Sequence, residues 1–119
     1  MKKQWETFVK GEAYGDKDAS RGKPYKFFIR YILEALEELG GSASSSEVLD
    51  LVYEKVRDNL PDYDMQILAK GRVRWRSKAR SARSHMVKLG YLRSDSAPGI
   101  WEITETGREW LYKILNPQG

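Results

Sequence analysis

Nine positively charged residues follow one another in the middle of this sequence without an intervening acid. Between Asp64 and Asp95 lie 30 residues, and none of them is Asp or Glu. The cations of this segment are Lys70, Arg72, Arg74, Arg76, Lys78, Arg80, Arg83, Lys88 and Arg93. The rest of the chain carries the other 12 cations and all 17 anions. Solvated helices usually interleave Glu with Lys or Arg, so this asymmetry is typical of a surface that binds a polyanion.

Arginine outnumbers lysine in the segment from Lys70 to Lys88, and small hydroxyl side chains lie between the cations. A guanidinium group can contact guanine O6 and N7 or a phosphate, whereas an ammonium group suits phosphates. Small residues allow a helix to enter a DNA major groove, which is about 12 Å wide. We therefore predict double-stranded DNA as the partner. The predicted DNA-binding residues are Lys70, Arg72, Arg74, Arg76, Ser77, Lys78, Arg80, Ser81, Arg83, Ser84, Lys88 and Arg93.

Other kinds of chemistry find little support in the composition. The chain has no cysteine and one histidine, His85, so thiolate metal sites, disulfides and cysteine nucleophiles are excluded. No carboxylate pair stands in a glycine-framed loop, so we expect no enzyme, no cofactor and no metal. Apolar runs are too short for a membrane span, and no apolar segment follows Met1-Lys2-Lys3. We expect a cytoplasmic protein associated with the nucleoid.

A helix from about Arg72 to Leu89 would carry most of these cations. Its apolar residues are spaced by four, three, four and three positions, as on one face of a helix. They are Trp75, Ala79, Ala82, Met86 and Leu89. Trp75 lies at the centre of this stripe and is predicted to anchor the core. The opposite face, with Ser77, Arg80 and Ser84, is then free to meet DNA.

Two further helices precede it. Pro24 opens the first, which Gly40-Gly41 ends, and Ser44 with Glu47 forms a capping box at the start of the second. Ser42–Ser46 is interpreted only as a source of helix caps. In the connector 62–71 the apolar residues Met65, Ile67 and Leu68 are predicted to fill the core.

Two short strands, Tyr91–Arg93 and Ile100–Ile103, are predicted to form a hairpin around a turn-rich sequence. Thr106 and Glu109 indicate a capping box at the start of a last helix. The predicted fold is mainly α with a small β-hairpin, a winged helix-turn-helix with the order helix, helix, helix, hairpin wing, helix. Residues 1–23 are assigned to an N-terminal extension and residues 24–116 to the winged-helix DNA-binding domain.

From about Pro24 to Leu115 the chain resembles the N-terminal winged-helix domain of Mrr-type restriction endonucleases. The resemblance lies in a leucine-rich connector that ends in a glycine, a basic helix that closes in a Leu-Lys-Lys-x-Gly-Leu pattern, a Gly-x-Trp-x-Ile-Thr hairpin and a Thr-x-x-Gly-Arg-x-x-Leu ending. The matching residues are Leu68, Gly71, Met86, Val87, Lys88, Leu89, Gly90, Tyr91, Leu92, Gly99, Trp101, Ile103, Thr104, Gly107, Arg108 and Leu111. The chain departs from the family pattern at Ser81, where a tryptophan is common, and at Pro98, where an arginine is common.

The resemblance implies a target-recognition domain of a restriction system, with cleavage supplied by a nuclease domain or subunit. The Glu-x-Lys of such a nuclease core is absent from this sequence. The resemblance also implies that a modified base such as N6-methyladenine can be the ligand. Val73, Trp101 and Trp5 are the candidate contacts for it, the tryptophans only if their rings are exposed.

Two alternatives use the same fold differently. A free-standing transcriptional regulator would act as a homodimer, with the aromatic N-terminal segment or the last helix as its interface, whereas a recognition module can be a monomer. A protein-interaction adaptor is the other alternative, and the acid-free run of cations argues against it.

Overall fold

The computed structural model describes residues 22–117, and the regular structure of this part is four α-helices and one small antiparallel sheet. The helices are α1 (Phe27–Glu38), α2 (Ser45–Val56), α3 (Arg74–Lys88) and α4 (Glu105–Leu115). The strands are β1 (Ser42–Ser44) and β2 (Ile100–Glu102), and two 3-10 turns, Arg57–Asn59 and Asp62–Met65, connect α2 to α3. The mainly α prediction with a small β element is confirmed, and the element order is compatible with a winged helix.

Helix α1 lies at the centre of the core and packs against the other three helices. Phe28, Ile32, Leu33 and Leu36 are fully buried because their spacing places them on one broad face of the helix. The helix ends where Gly41 donates its backbone N–H to the carbonyl of Leu36. The described part of the chain contains no helix with the length and apolar character that a membrane span requires.

The apolar stripe of α3 is buried as predicted, except at its end. Trp75 is stacked between Phe28 of α1 and Tyr53 of α2, at ring distances of 5.9 and 5.7 Å. Ala79, Ala82 and Met86 are fully buried. Leu89 was predicted to belong to the stripe but is 43% exposed, because α3 stops at Lys88 and the chain turns away at Gly90.

The connector before α3 differs from its prediction. Met65 and Ile67 do not fill the core, since they are 39% and 70% exposed, and Leu68 is half-buried. The buried residue of this segment is Asp64, which is fully inaccessible. Ile67 and Val73 form an antiparallel backbone bridge, so the chain is extended at Val73. The helix therefore begins at Arg74 and not at Arg72.

The sheet contains a strand that the sequence analysis missed. Strand β1 pairs with β2 in the register Ser42↔Glu102, Ala43↔Trp101 and Ser44↔Ile100. On its other side, the segment around β2 contacts the predicted strand Tyr91–Arg93 through the bridge Leu92↔Ile103 and a bond from the Arg93 N–H to the Glu102 carbonyl (2.9 Å). Of the two predicted strands, Ile100–Ile103 is therefore present as β2 over Ile100–Glu102, whereas Tyr91–Arg93 forms only an isolated bridge at Leu92 beside it.

One of the two predicted capping boxes is correct. The Ser44 side chain accepts from the Glu47 N–H, and the Glu47 carboxylate accepts from the Ser44 backbone N–H. The box predicted at Thr106 and Glu109 is wrong, because Thr104 caps α4 by accepting from the Gly107 N–H at 3.0 Å. Gly107 packs so close to the Tyr91 carbonyl that a Cβ there would lie 2.5 Å from its oxygen.

Of the predicted extension 1–23, only Gly22 and Lys23 are among the described residues.

Candidate nucleic-acid interface

Helix α3 and the residues just before it present a ridge of arginines. Arg72, Arg76, Arg80 and Arg83 follow one another at spacings of four, four and three residues, which places them on one side of the helix. Beside this ridge, Ser81 and Ser84 are exposed and Ser77 is half-buried. The surface therefore combines long cationic side chains with neighbouring small serine side chains, which is the combination expected from the sequence.

Arg74 lies away from this ridge and is held by the segment before the helix. Its guanidinium group stands 4.0 Å from the ring centre of Tyr63. Its Nε donates to the Tyr63 carbonyl at 3.2 Å, and one Nη donates to the side-chain oxygen of Gln66 at 3.1 Å. These contacts engage two of the five guanidinium N–H donors and hold the Arg74 side chain against the segment before α3.

Lys78 is likewise bound within the protein. Its Nζ lies 2.7 Å from a carboxylate oxygen of the buried Asp64 and donates to the Lys23 carbonyl at 2.6 Å. The second Asp64 oxygen accepts from the Lys23 backbone N–H at 2.7 Å. A helix turns by about 100° per residue, so Lys78 lies about 60° from Trp75 around the helix axis, close to the side that faces the core.

Arg76 and Arg93 each have an acidic partner at the surface. Arg76 lies 3.3 Å from Asp50 of α2, and Arg93 lies 2.9 Å from Asp95 and 3.9 Å from Glu102. The hydrogen bond between Arg93 and Asp95 raises the pKa of Arg93 and lowers the pKa of Asp95. The positive charge of these two arginines is partly compensated in the free protein.

Five of the predicted cations have no acidic partner within residues 22–117, namely Lys70, Arg72, Arg80, Arg83 and Lys88. Partial burial lowers the pKa of Arg80, and the charges of Arg72 and Arg76 lower it further. The Nε groups of Arg80 and Arg83 are buried without a hydrogen-bond partner. The uncompensated charge of Arg72, Arg80 and Arg83 on one ridge is suited to binding an anion.

Two of the three candidate contacts for a modified base, Val73 and Trp101, lie within the described residues. Trp101 is 5% exposed and packs in the sheet opposite Ala43, so its ring is not available to stack on a flipped base. Val73 is half-buried and is the N-cap residue of α3. Trp5 lies outside the described residues.

The described residues contain no group of three or more acidic or histidine side chains placed to hold a metal ion. The His85 ring packs edge-on against Tyr25 at 5.7 Å, which accounts for this histidine as a packing residue.

Three comparisons with known proteins bear on the family. No curated protein and no solved structure matches the chain. The family model described as the Mrr N-terminal domain matches residues 25–113, which include all four helices except the end of α4 and all nine cations of the acid-free segment. The match is to an N-terminal domain and not to a nuclease domain. The chain therefore belongs to the Mrr N-terminal domain family.

Proposed function

We propose that this chain is a double-stranded DNA-binding module of a restriction system, built as a winged helix-turn-helix. In this proposal α2 and α3 form the helix-turn-helix, α3 is the recognition helix, and the hairpin from Tyr91 to Ile103 is the wing. The element order and the family membership support the proposal. Cleavage would come from a nuclease domain or subunit, since the matched family is a domain that precedes one.

The observation that carries the proposal is the set of five cations on and beside α3 that have no acidic partner among residues 22–117. A DNA duplex presents one negative charge per roughly 1.7 Å of its axis, and a protein binds it by replacing counterions with Lys and Arg. In this protein the charges of Arg72 and Arg76 lower the pKa of Arg80, so like charges stand close together on the ridge. Phosphates would compensate these charges and relieve the repulsion.

The residues take different roles in this proposal. Among the ridge arginines Arg80 lies nearest to the serine face around the helix axis, so we assign it to base edges in the major groove. Lys70, Arg72, Arg83 and Lys88 flank it and are assigned to phosphates. Arg93 is assigned to a phosphate beside the wing. Arg74 and Lys78 are assigned to positioning α3.

The test is direct binding of a fluorescent duplex of mixed sequence by the full chain at low salt. Arg80→Ala and Arg83→Ala should each weaken binding at least fivefold. Arg57→Ala is the matched control, because Arg57 is an exposed arginine at the end of α2 and lies outside the proposed surface. The proposal is wrong if wild-type protein binds no duplex, or if Arg57→Ala weakens binding as much as Arg80→Ala.

A finer proposal is that the module selects a modified base such as N6-methyladenine. The family resemblance supports it, and Val73 is the candidate contact because Trp101 is buried. A single methyl group in an apolar pocket is worth about 1–3 kcal/mol. The same duplex with and without N6-methyl groups should then differ in affinity by at least fivefold, and equal affinities within twofold would exclude this specificity.

A free-standing regulator that acts as a homodimer is a second candidate. Helix α4 exposes Tyr112 and Leu115, at 62% and 45%, on a helix predicted as a dimer interface. Sedimentation at several protein concentrations distinguishes the two, since a recognition module attached to a nuclease needs no dimer of this domain. Loss of a dimer in Leu115→Asp would favour the regulator.

A further inference from the structure

The segment just before α3 is a small hairpin of its own. The Leu68 N–H donates to the Arg72 carbonyl, and the Arg74 N–H donates to the Gln66 carbonyl, both at 2.8 Å. The turn closes with a bond from the Gly71 N–H to the Leu68 carbonyl, and Gly71 has a φ of +80°. Since Arg74 is the first residue of α3, this hairpin is directly joined to the N-terminal end of the helix.

Ile67 and Val73 face each other across this hairpin. The two backbone bonds lie on either side of the pair, so it is a non-hydrogen-bonded pair whose side chains are close together on one face. Val73 also packs against the core, whereas Ile67 is 70% exposed. Ile67 is the most exposed of the large hydrophobic residues within 22–117. The hydrogen-bonded hairpin thus holds an exposed isoleucine side chain next to a half-buried valine.

The surroundings of this pair are cationic. Lys70 and Arg72 on the hairpin turn are exposed, and neither has an acidic partner within the described part of the chain. The guanidinium group of Arg74 stands beside Gln66 on the adjoining strand. An apolar side chain among unpaired cations fits a polyanion that also carries apolar groups. In the major groove of unmodified DNA the thymine C5-methyl is the apolar group that a side chain meets.

Resting on the proposed function, we propose that Ile67, supported by Val73, contacts the C5-methyl group of a thymine at the N-terminal end of the recognition helix. The N-terminal residues of such helices are those that contact base edges, and Val73 is the N-cap of α3. Lys70 and Arg72 then hold the phosphates on either side. Ile67 becomes a specificity-determining residue that no charge pattern identifies.

Thymine-to-uracil exchange tests this contact because it removes only the methyl group. A pool of random duplexes is first enriched with the full-length chain, and each thymine of the tightest duplex is then replaced by deoxyuridine in turn. For the wild type we expect a five- to thirtyfold loss of affinity at one position. Ile67→Ala should bind the original duplex that much more weakly and lose less than twofold on the same exchange. Leu39→Ala, at a partly exposed leucine after α1, should respond as the wild type does.

The outcomes separate this inference from the proposed function. If the wild type binds no duplex, both are overturned. If it binds but no single exchange matters, or if Ile67→Ala loses as much on exchange as the wild type, the thymine contact is overturned and DNA binding stands. A dependence on Ile67 seen only with N6-methyladenine duplexes would also overturn the thymine assignment. Because Ile67 is exposed, the variant should melt with the wild type in circular dichroism.

Discussion

The ammonium group of Lys78 lies 2.7 Å from the carboxylate of Asp64, a fully buried residue 14 positions earlier in the chain. This pair connects α3 to the 3-10 turn before it and to the backbone of Lys23. It removes one cation from the predicted DNA surface and uses it to hold that surface in place. Variants of Lys78, which holds this surface in place, and of Arg80, which belongs to the surface, should therefore behave differently.

Lys78→Met should destabilise the fold, whereas Arg80→Met should not. Removing Lys78 leaves the Asp64 carboxylate buried without its cation, which costs about 3 kcal/mol. Arg80→Met removes a charge that its neighbours repel, so the free energy of unfolding should stay within about 0.5 kcal/mol of the wild type. Urea unfolding of both variants measures this. In the double variant Asp64→Asn/Lys78→Met the loss should be smaller than the sum of the single losses, and additive losses would contradict a direct pair.

The affinity for duplex DNA should fall with salt in proportion to the number of phosphate contacts. The five cations assigned to phosphates, Lys70, Arg72, Arg83, Lys88 and Arg93, predict a slope of log K against log[salt] of about −4.5. Arg72→Ala should make this slope shallower by about 0.9, and Arg93→Ala by less, because Arg93 already has Asp95 as a partner. Titrations at four or more salt concentrations give the slopes. Equal changes for the two variants would show that the Asp95 pair does not matter for binding.

Asp50→Asn should strengthen DNA binding. The Asp50 side chain is 75% exposed, and its carboxylate lies 3.3 Å from the guanidinium group of Arg76. This carboxylate partly neutralises a cation of the ridge and would also repel phosphates. We expect a two- to fivefold gain in affinity at low salt, with unfolding free energy changed by no more than about 1 kcal/mol. Anisotropy titrations of the variant and wild type decide it. A weaker affinity would mean that Asp50 orients Arg76 for DNA.

Met86→Ala and Leu89→Ala should differ strongly in stability although they belong to the same predicted stripe. Met86 is fully buried, and its truncation should cost about 2–5 kcal/mol. Leu89 is 43% exposed at the end of α3, so its truncation should cost less than about 1 kcal/mol. Thermal or urea unfolding compares them. Similar losses would place Leu89 in the core after all.

The sequence predicted those features that depend on local periodicity. The stripe from Trp75 to Met86 is buried because its spacing matches the helix, and Ser44 caps α2 because the capping box is a local pattern. Strand β1 has the sequence Ser-Ala-Ser, which is three residues long and contains no β-branched or aromatic residue that would indicate a strand. It is a strand only because Ala43 pairs with Trp101, 58 residues away, and such a contact leaves no local signal.

The candidate surface shows the same limit. Charge alone identified all nine cations, but their partners lie elsewhere in the chain: Asp50 on α2 for Arg76 and Asp64 on the 3-10 turn for Lys78. The exposed Ile67 could not be separated from a core residue by composition. Its 70% exposure in the folded protein shows that its side chain lies in solvent.

The position of β2 between two partners has a consequence for the thermodynamics of binding. On one side of β2, the Ile103 N–H donates to the Gly41 carbonyl and the Ser45 N–H to the Gly99 carbonyl. On the other side, the Arg93 N–H donates to the Glu102 carbonyl and the Thr104 N–H to the Tyr91 carbonyl. The proposed wing is therefore ordered up to the turn at 94–99 before any DNA arrives. An element that is already ordered loses little conformational entropy on association. Calorimetry should accordingly show a heat-capacity change that matches the buried interface alone, without the additional decrease that accompanies the folding of a disordered segment.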